Sequence, residues 1–462
     1  MLTYLKQMMK IKKILVFNYL LKFRKIVKDF HPENRQIIGN TGWLFVGKVF
    51  RLFISLCMGT LVARYLGPDK FGTLQYALAF SSFFLPLSTS QMGKIVTRDL
   101  VQKPVSKDKI LGTAFLVQII GGILAATLSI TFIKIIYPQS SYIHLLVAIV
   151  AIKFIFNSFQ PIENWFESQV KSKFQVLASN LSFLIITIIK IFLIIFKAPL
   201  FLFASIISLE TIIYATGLIF YYQLDHQNIR NWRTDFQSIK DLIRESYPQF
   251  LSSTAILIYA SLDQVMLGSM VGHSSIGIYS SAVILCESLS FLPLIISSSL
   301  YPSMIKAQSL SKSTYRKKLQ KIYDFTSLIA YAIIILIVPL SGFLIKLLYG
   351  DNYQLASPIL SIYIFTSLFT FQGEVMSNWI VTEGLQHFNL YAKLVGLAAN
   401  IMLNLLLIPL YQGIGAAIAT LVSASLANYF CFLFWKKTRT NAILTTKALL
   451  LPFRLLKLLK RS

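Results

Sequence analysis

Three carboxylates, Asp263, Glu287 and Glu374, and four cations, Lys48, Arg51, Lys153 and Lys190, stand inside stretches otherwise apolar enough to sit in lipid. An ionisable side chain at that depth is costly, so each marks a functional position by default. They sort by sign: the cations fall in the first half of the chain and the acids in the second. Helical spacing tests whether they share a face. Lys48, Arg51, Ser55 and Gly59 fall within one narrow arc, and so do Asn180, Thr187 and Lys190. Polar or small stripes of this kind suit the wall of a water-filled cleft. A cleft lined by guanidinium and ammonium groups calls for an anionic cargo, and a pyrophosphate offers oxygens to several such donors at once. Arg51 is the natural anchor, because its planar fork grips two oxygens and keeps its charge when desolvated.

In the second half, Lys393, Asn400 and Asn404 form another stripe, and Thr420 follows in the next apolar run. Asp263, Asn400, Asn404 and Thr420 supply oxygen ligands of the kind a small hard cation such as sodium prefers. Asp263 alone can instead carry a proton. Either way these residues read as a cation-coupling set, with Glu287 and Glu374 as further acids of the same lumen. Other chemistries lack their residues. There is no glycine-rich phosphate loop with its lysine, no histidine pattern for zinc and no nucleophile elbow. Cys57, Cys286 and Cys431 lie mid-run and far apart, which suggests neither a disulfide framework nor a metal site beyond the sodium one. No cofactor is expected other than the coupling ion, sodium or a proton.

The elements that must position these residues are membrane spans. The chain is 55% hydrophobic and only 13% charged, with a mean hydropathy of +0.66, whereas a soluble chain needs about 25% charged residues. Apolar runs near the ~20 residues that cross a bilayer predict twelve helices, near 42–64, 71–93, 111–136, 142–163, 175–196, 199–222, 248–271, 276–301, 323–348, 354–381, 387–409 and 413–435. The net charge of +26 is spread over short loops and two tails rather than one basic face, so nucleic acid is not an expected partner. The N-terminal tail and segments 94–110, 164–174, 223–247, 302–322, 382–393 and 436–462 carry 35 of the 44 Lys and Arg, and the alternate connections carry almost none. Lys and Arg stay cytoplasmic, which places both termini on the cytoplasmic side of the cell inner membrane. The outer connections are too short for an extracytoplasmic catalytic domain, which counts against a glycan polymerase or ligase.

The chain also repeats itself. Gly67, Gly72 and Ala77 match Gly272, Gly277 and Ala282 at a constant offset of 205, each set at a short outer turn. The glycines suit that turn and a close approach of helices. Six spans separate the copies, so the halves share an orientation and a pseudo-two-fold axis along the membrane normal is expected. The expected organisation is all-α: a basic amphipathic segment (1–40) on the membrane's anionic face, a six-helix bundle (41–222), a cytoplasmic linker (223–247), a second six-helix bundle (248–435) and a basic amphipathic tail (436–462).

Several segments resemble the Wzx-type polysaccharide flippases of the multidrug/oligosaccharidyl-lipid/polysaccharide exporter superfamily. They are NTGWLFVGKVFRLFISLCMGTLVARYLGPDKFGTLQYALAF (40–80), NWFESQVKSKF (164–174), the stretch 262–293, LLYGDNYQLASPIL (347–360) and LYQGIGAAIATLVS (410–423). The resemblance implies two six-helix bundles working by alternating access. It implies transfer of an undecaprenyl-pyrophosphate-linked oligosaccharide, such as an O-antigen unit of lipopolysaccharide, to the outer leaflet. Membrane lipids, a polysaccharide polymerase and glycosyltransferases would be its partners. Some members carry a cation site on the seventh, eleventh and twelfth helices, which Asp263, Asn400, Asn404 and Thr420 match, except that an acid is expected where Asn404 stands. A drug or organic-cation antiporter of the same architecture is the competing expectation; it calls for an acidic, aromatic lumen.

Overall fold

The computed structural model describes the backbone of residues 32–454, with side chains from Arg51 onward apart from several between 298 and 310. The amphipathic segment expected over 1–40 lies outside the described residues as far as residue 31, as do the end of the basic tail beyond 454 and the side chain of Lys48. Two compact units divide between Cys57 and Met58. In the first, the described residues form helix, on which Arg51 is half-buried and Ser55 exposed.

Among the described residues the regular structure is helical throughout, without a strand. The main helices are α1 (Pro32–Ser82), α2 (Gly93–Gln102), α3 (Lys107–Ile136), α4 (Ser141–Phe156), α5 (Lys173–Ile195), α6 (Leu200–Leu224) and α7 (Phe236–Met270). There follow α8 (His273–Glu287), α9 (Phe291–Leu310), α10 (Lys312–Tyr349), α11 (Ala356–Tyr363), α12 (Thr366–Thr382), α13 (Gln386–Ser425) and α14 (Lys436–Leu449). Nine helical runs among the described residues are long and apolar enough to cross a membrane. The protein is a multi-pass membrane protein. The spans expected at 42–64 and 71–93 meet at a kink in α1 at Gly67 (φ 72°). Those expected at 387–409 and 413–435 fall in one run that breaks at Gln412 (φ 49°, ψ −127°), three residues after Pro409.

The pattern of burial is that of a helix in lipid. On α5, Leu177, Leu181, Leu184, Ile188, Ile191 and Ile195 form an exposed stripe, while Ala178, Ser182 and Ile186 are buried. A soluble helix shows the reverse, its apolar stripe facing the core. In lipid the tails are as apolar as leucine, so small residues turn inward where they let backbones approach closely. Two larger cores form in the second unit. One gathers Met92, Leu100, Leu111, Phe166, Leu218 and Tyr222; the other gathers Leu319, Tyr323, Met376, Trp379, Ile380 and Phe432.

The repeat glycines meet one another. Gly72 backs onto the carbonyl of His273 and the amide of Gly277, and Gly277 backs onto the carbonyl of Pro68 and the amide of Gly72. Pro68 and His273 are themselves equivalent at the offset of 205, so the contact is reciprocal, of the self-complementary kind a two-fold axis generates. The turns that feed it hold Gly67 and Gly272 at φ 72° and 126°, in the region where a side chain is strained. Gly277→Leu would push a side chain into backbone, which cannot rotate away. Overpacking of that kind costs about 1–3 kcal/mol, and a lower melting temperature of the purified protein is the expected result. Gly59→Ala serves as control, since a methyl there meets no atom within 4 Å; an equal shift in the two variants would show that the contact is slack.

Candidate functional site

Asp263 lies on α7, where that helix packs against α8 and α13, and is 6% exposed. A buried carboxylate is tolerated only with donors around it, and both oxygens have them. Asn404 Nδ2 donates to Oδ1 at 2.6 Å and the Tyr279 hydroxyl donates to Oδ2 at 2.7 Å. The Thr420 hydroxyl donates to Oδ2 as well. The network extends outward: Asn404 Nδ2 also donates to Asn400 Oδ1 at 3.1 Å, Asn400 Nδ2 reaches Ser423 Oγ at 3.5 Å, and Ser423 pairs with the Tyr259 hydroxyl at 3.1 Å. Asn400 and Asn404 precede the break at Gln412, whereas Thr420 and Ser423 follow it. The bend in α13 thus brings two stretches of one helical run onto the same carboxylate.

The network forms one wall of a cavity of about 440 Å³, to which Asp263, Glu287, Glu374, Lys393, Thr420 and Asn428 contribute polar groups and Tyr259, Tyr363 and Phe371 aromatic ones. Unlike Asp263, Glu287 and Glu374 are exposed. Lys393 Nζ donates to Asn428 Oδ1 at 2.6 Å and interacts electrostatically with Glu374. Asn428 belongs to a π turn, Leu426–Phe430, and its amide is anchored on the Ala424 carbonyl at 2.9 Å. Single π turns inside α-helices commonly mark functional positions.

The structure therefore draws Asp263, Asn400, Asn404 and Thr420 into one cluster and sets Glu287 and Glu374 on the neighbouring cavity. The first-half cations are differently placed. Lys153 is half-buried on α4 with its Nζ 5.5 Å from the Phe154 ring centroid. Lys190, on α5, interacts electrostatically with Glu210 of α6. Glu163, in the short helix Gln160–Ser168, accepts from Gln175 Nε2 at 3.1 Å. Two acids thus temper the basic sign of the first half, and both were open to the rule that singled out Asp263. Tyr259 was also within reach of the sequence, one helical turn before Asp263 on the same face. Tyr279 and Asn428 carried no such signal.

Several known proteins share this architecture. The polysaccharide biosynthesis protein family matches residues 61–358, well over half of the chain. The chain belongs to that family. The capsular polysaccharide biosynthesis protein CapF of Staphylococcus aureus is 23% identical over 411 residues, covering 87% of this chain and 100% of that one. A putative O-antigen transporter of Escherichia coli K12 is 22% identical, covering 88% and 97%. Among solved structures, the lipid II flippase MurJ in an inward closed conformation superposes with a TM-score of 0.68 at 18% identity, over 89% of this chain and 92% of that one. This likeness shows a shared fold. Family and fold together bear out the resemblance seen in the sequence segments: the protein is a membrane transporter of polysaccharide biosynthesis, not an enzyme.

Proposed function

We propose that the protein carries an undecaprenyl-pyrophosphate-linked oligosaccharide from the cytoplasmic to the outer leaflet of the cell inner membrane. Both termini are cytoplasmic, and transport runs by alternating access coupled to a sodium or proton gradient. The observation that carries this reading is the buried carboxylate of Asp263, tied to α8 and to both stretches of α13 beside a cavity among membrane helices. The residues suit a small hard cation: Asp263, Asn400 and Thr420 offer oxygens, and Asn404 Oδ1 is buried with no hydrogen-bond partner. An acceptor left alone in this way costs about 1–3 kcal/mol, which a bound cation would relieve. In a cation-bound state Asp263 and the asparagine oxygens would turn to the ion, loosening the bonds that now hold α13 to α7. A change in that binding is a means of linking ion occupancy to helix position. Arg51, Lys48, Lys153 and Lys190 are assigned to the pyrophosphate. Glycosyltransferases build the cargo beforehand and a polysaccharide polymerase consumes it afterwards.

The competing reading, a drug or organic-cation antiporter, draws on Glu287, Glu374 and the aromatic rings of the cavity. Lys393 in the same wall counts against it, because an ammonium repels a cationic cargo. Proteoliposomes loaded with a fluorescent pyrophosphate-linked oligosaccharide separate the two. The expected result is gradient-dependent appearance of the glycan at the opposite leaflet, scored by an impermeant glycosidase, with no efflux of ethidium. Ethidium efflux without movement of the glycan would favour the antiporter.

A further inference from the structure

A second cavity, of about 400 Å³, lies apart from the Asp263 network, among α10, the C-terminal end of α12 and α14. Two helices present it with the same spacing. Lys312, Tyr315, Arg316 and Leu319 line it from the first turns of α10, and Lys437, Thr440, Asn441 and Leu444 from the first turns of α14. Positions i, i+3, i+4 and i+7 form one helical face, so each helix brings cations at its N-terminal end and a leucine one to two turns deeper. Trp379 of α12 adds an aromatic wall.

The placing of the charges is unusual. A helix N-terminus already carries a partial positive charge and disfavours cations there. Yet α14 opens with Lys436, Lys437 and Arg439, and no side chain caps its N-terminus. Lys312 and Arg316 stand at the start of α10. Among the described residues Lys312, Arg316 and Lys437 have no ion-pair partner. The one carboxylate of the cavity, Glu383, accepts from Gln308 Nε2 at 3.2 Å. Three cations face one acid, beside the uncapped end of α14 and the first turns of α10, which Ser311 caps through the Thr314 amide. The cavity also holds an unmatched group. Asn441 is 3% exposed; its amide nitrogen donates to the Tyr323 hydroxyl at 2.7 Å, and its Oδ1 is buried without a partner.

We propose that this cavity binds a phosphate-bearing anion. The phosphate sits at the rim, held by Lys312, Arg316, Lys437 and the uncapped amides at the start of α14, an arrangement that turns an unfavourable cluster of cations into a favourable one. Asn441 Oδ1 and Glu383 accept from hydroxyl groups of the same ligand, and Tyr315 and Trp379 cover its carbon skeleton. A lipid headgroup such as phosphatidylglycerol and a soluble phosphate share this chemistry.

Trp379 supplies the readout for the full chain in phosphatidylcholine nanodiscs. One arm titrates inorganic phosphate and glycerol phosphate; the other replaces part of the phosphatidylcholine by phosphatidylglycerol. The expected result is a change in tryptophan fluorescence in at least one arm that Trp379→Phe abolishes. A response confined to the second arm assigns the site to a lipid headgroup; a saturable response in the first assigns it to a soluble phosphate. Arg316→Glu combined with Lys437→Glu should raise the midpoint at least tenfold. The single variants Arg316→Gln and Lys437→Gln, at exposed side chains, should each raise it several-fold, and they carry the test should the double variant fail to fold. The proposal is overturned if neither arm gives a signal that depends on Trp379, or if the charge variants leave the midpoint unchanged.

Discussion

Asp263→Asn is expected to abolish gradient-driven transport while the protein still folds. The donors around the carboxylate are the cause. Asn404 Nδ2 feeds Oδ1, whereas Tyr279 and Thr420 feed Oδ2 through hydroxyls. A hydroxyl can turn and accept, which an amide nitrogen cannot. An asparagine at 263 can therefore keep its oxygen toward Asn404 and direct its new N–H bonds at Tyr279 and Thr420, leaving no buried donor unmatched. Its volume is nearly unchanged. What it lacks is the charge, and with that the means to bind sodium or carry a proton. Asp263→Leu is the contrast. Thr420 can fall back on the Ala416 carbonyl and Tyr279 on Thr420, but one buried N–H of Asn404 is left without an acceptor, at a cost of about 1–3 kcal/mol, and the melting temperature should fall. Transport and melting temperature measured on the same purified samples check this. If Asp263→Asn transports normally, the carboxylate serves only to hold α7, α8 and α13 together and the cation-coupling reading fails.

How far this site was legible in the sequence depended on whether a residue announced itself locally. Asp263 did, as a charge in an apolar run, and Asn400 and Asn404 did, as polar positions one turn apart on one face. The glycines at 67, 72, 272 and 277 announced a turn and a close approach; the structure joins Gly72 and Gly277 in one reciprocal contact and holds Gly67 and Gly272 at positive φ in the turns before it. Tyr279 and Asn428 announced nothing. A tyrosine near a membrane interface is ordinary, and the π turn that sets Asn428 opposite Lys393 has no periodicity of its own. The break in α13 was legible in place, since the spans expected at 387–409 and 413–435 leave 410–412 between them and the break falls at Gln412, but not in the residue that makes it. Positive φ is looked for at glycine, and Gly413 stands beside the place, but the residue that adopts it is Gln412. Glu163 and Glu210 were visible by the same rule as Asp263, and they lie in the half whose charges in the apolar runs read as mainly basic.

The second large effect is expected at Arg51. It stands on a helical face with Ser55 and Gly59, half-buried, and is assigned to the pyrophosphate of the cargo. A hydrogen bond to a charged group contributes about 1.5–3 kcal/mol, so Arg51→Ala should weaken cargo affinity by about tenfold to a hundredfold. Arg51→Lys keeps the charge but loses the planar fork that grips two oxygens, and should fall between the wild type and alanine. Arg51→Met, close to lysine in size but uncharged, separates recognition from a packing effect: it should bind like alanine, not like lysine. Salt offers a second check: part of the loss should disappear at high ionic strength, where attraction to the pyrophosphate is already screened. A neutral lipid-linked glycan should bind these proteins alike. The measurement is binding to purified protein in lipid, so that a lower folding yield is not mistaken for lower affinity. Arg51→Ala binding the pyrophosphate-linked cargo as tightly as the wild type would end the basic-lumen mechanism, and Lys190 would then be explained by its neighbour Glu210 instead of by the cargo.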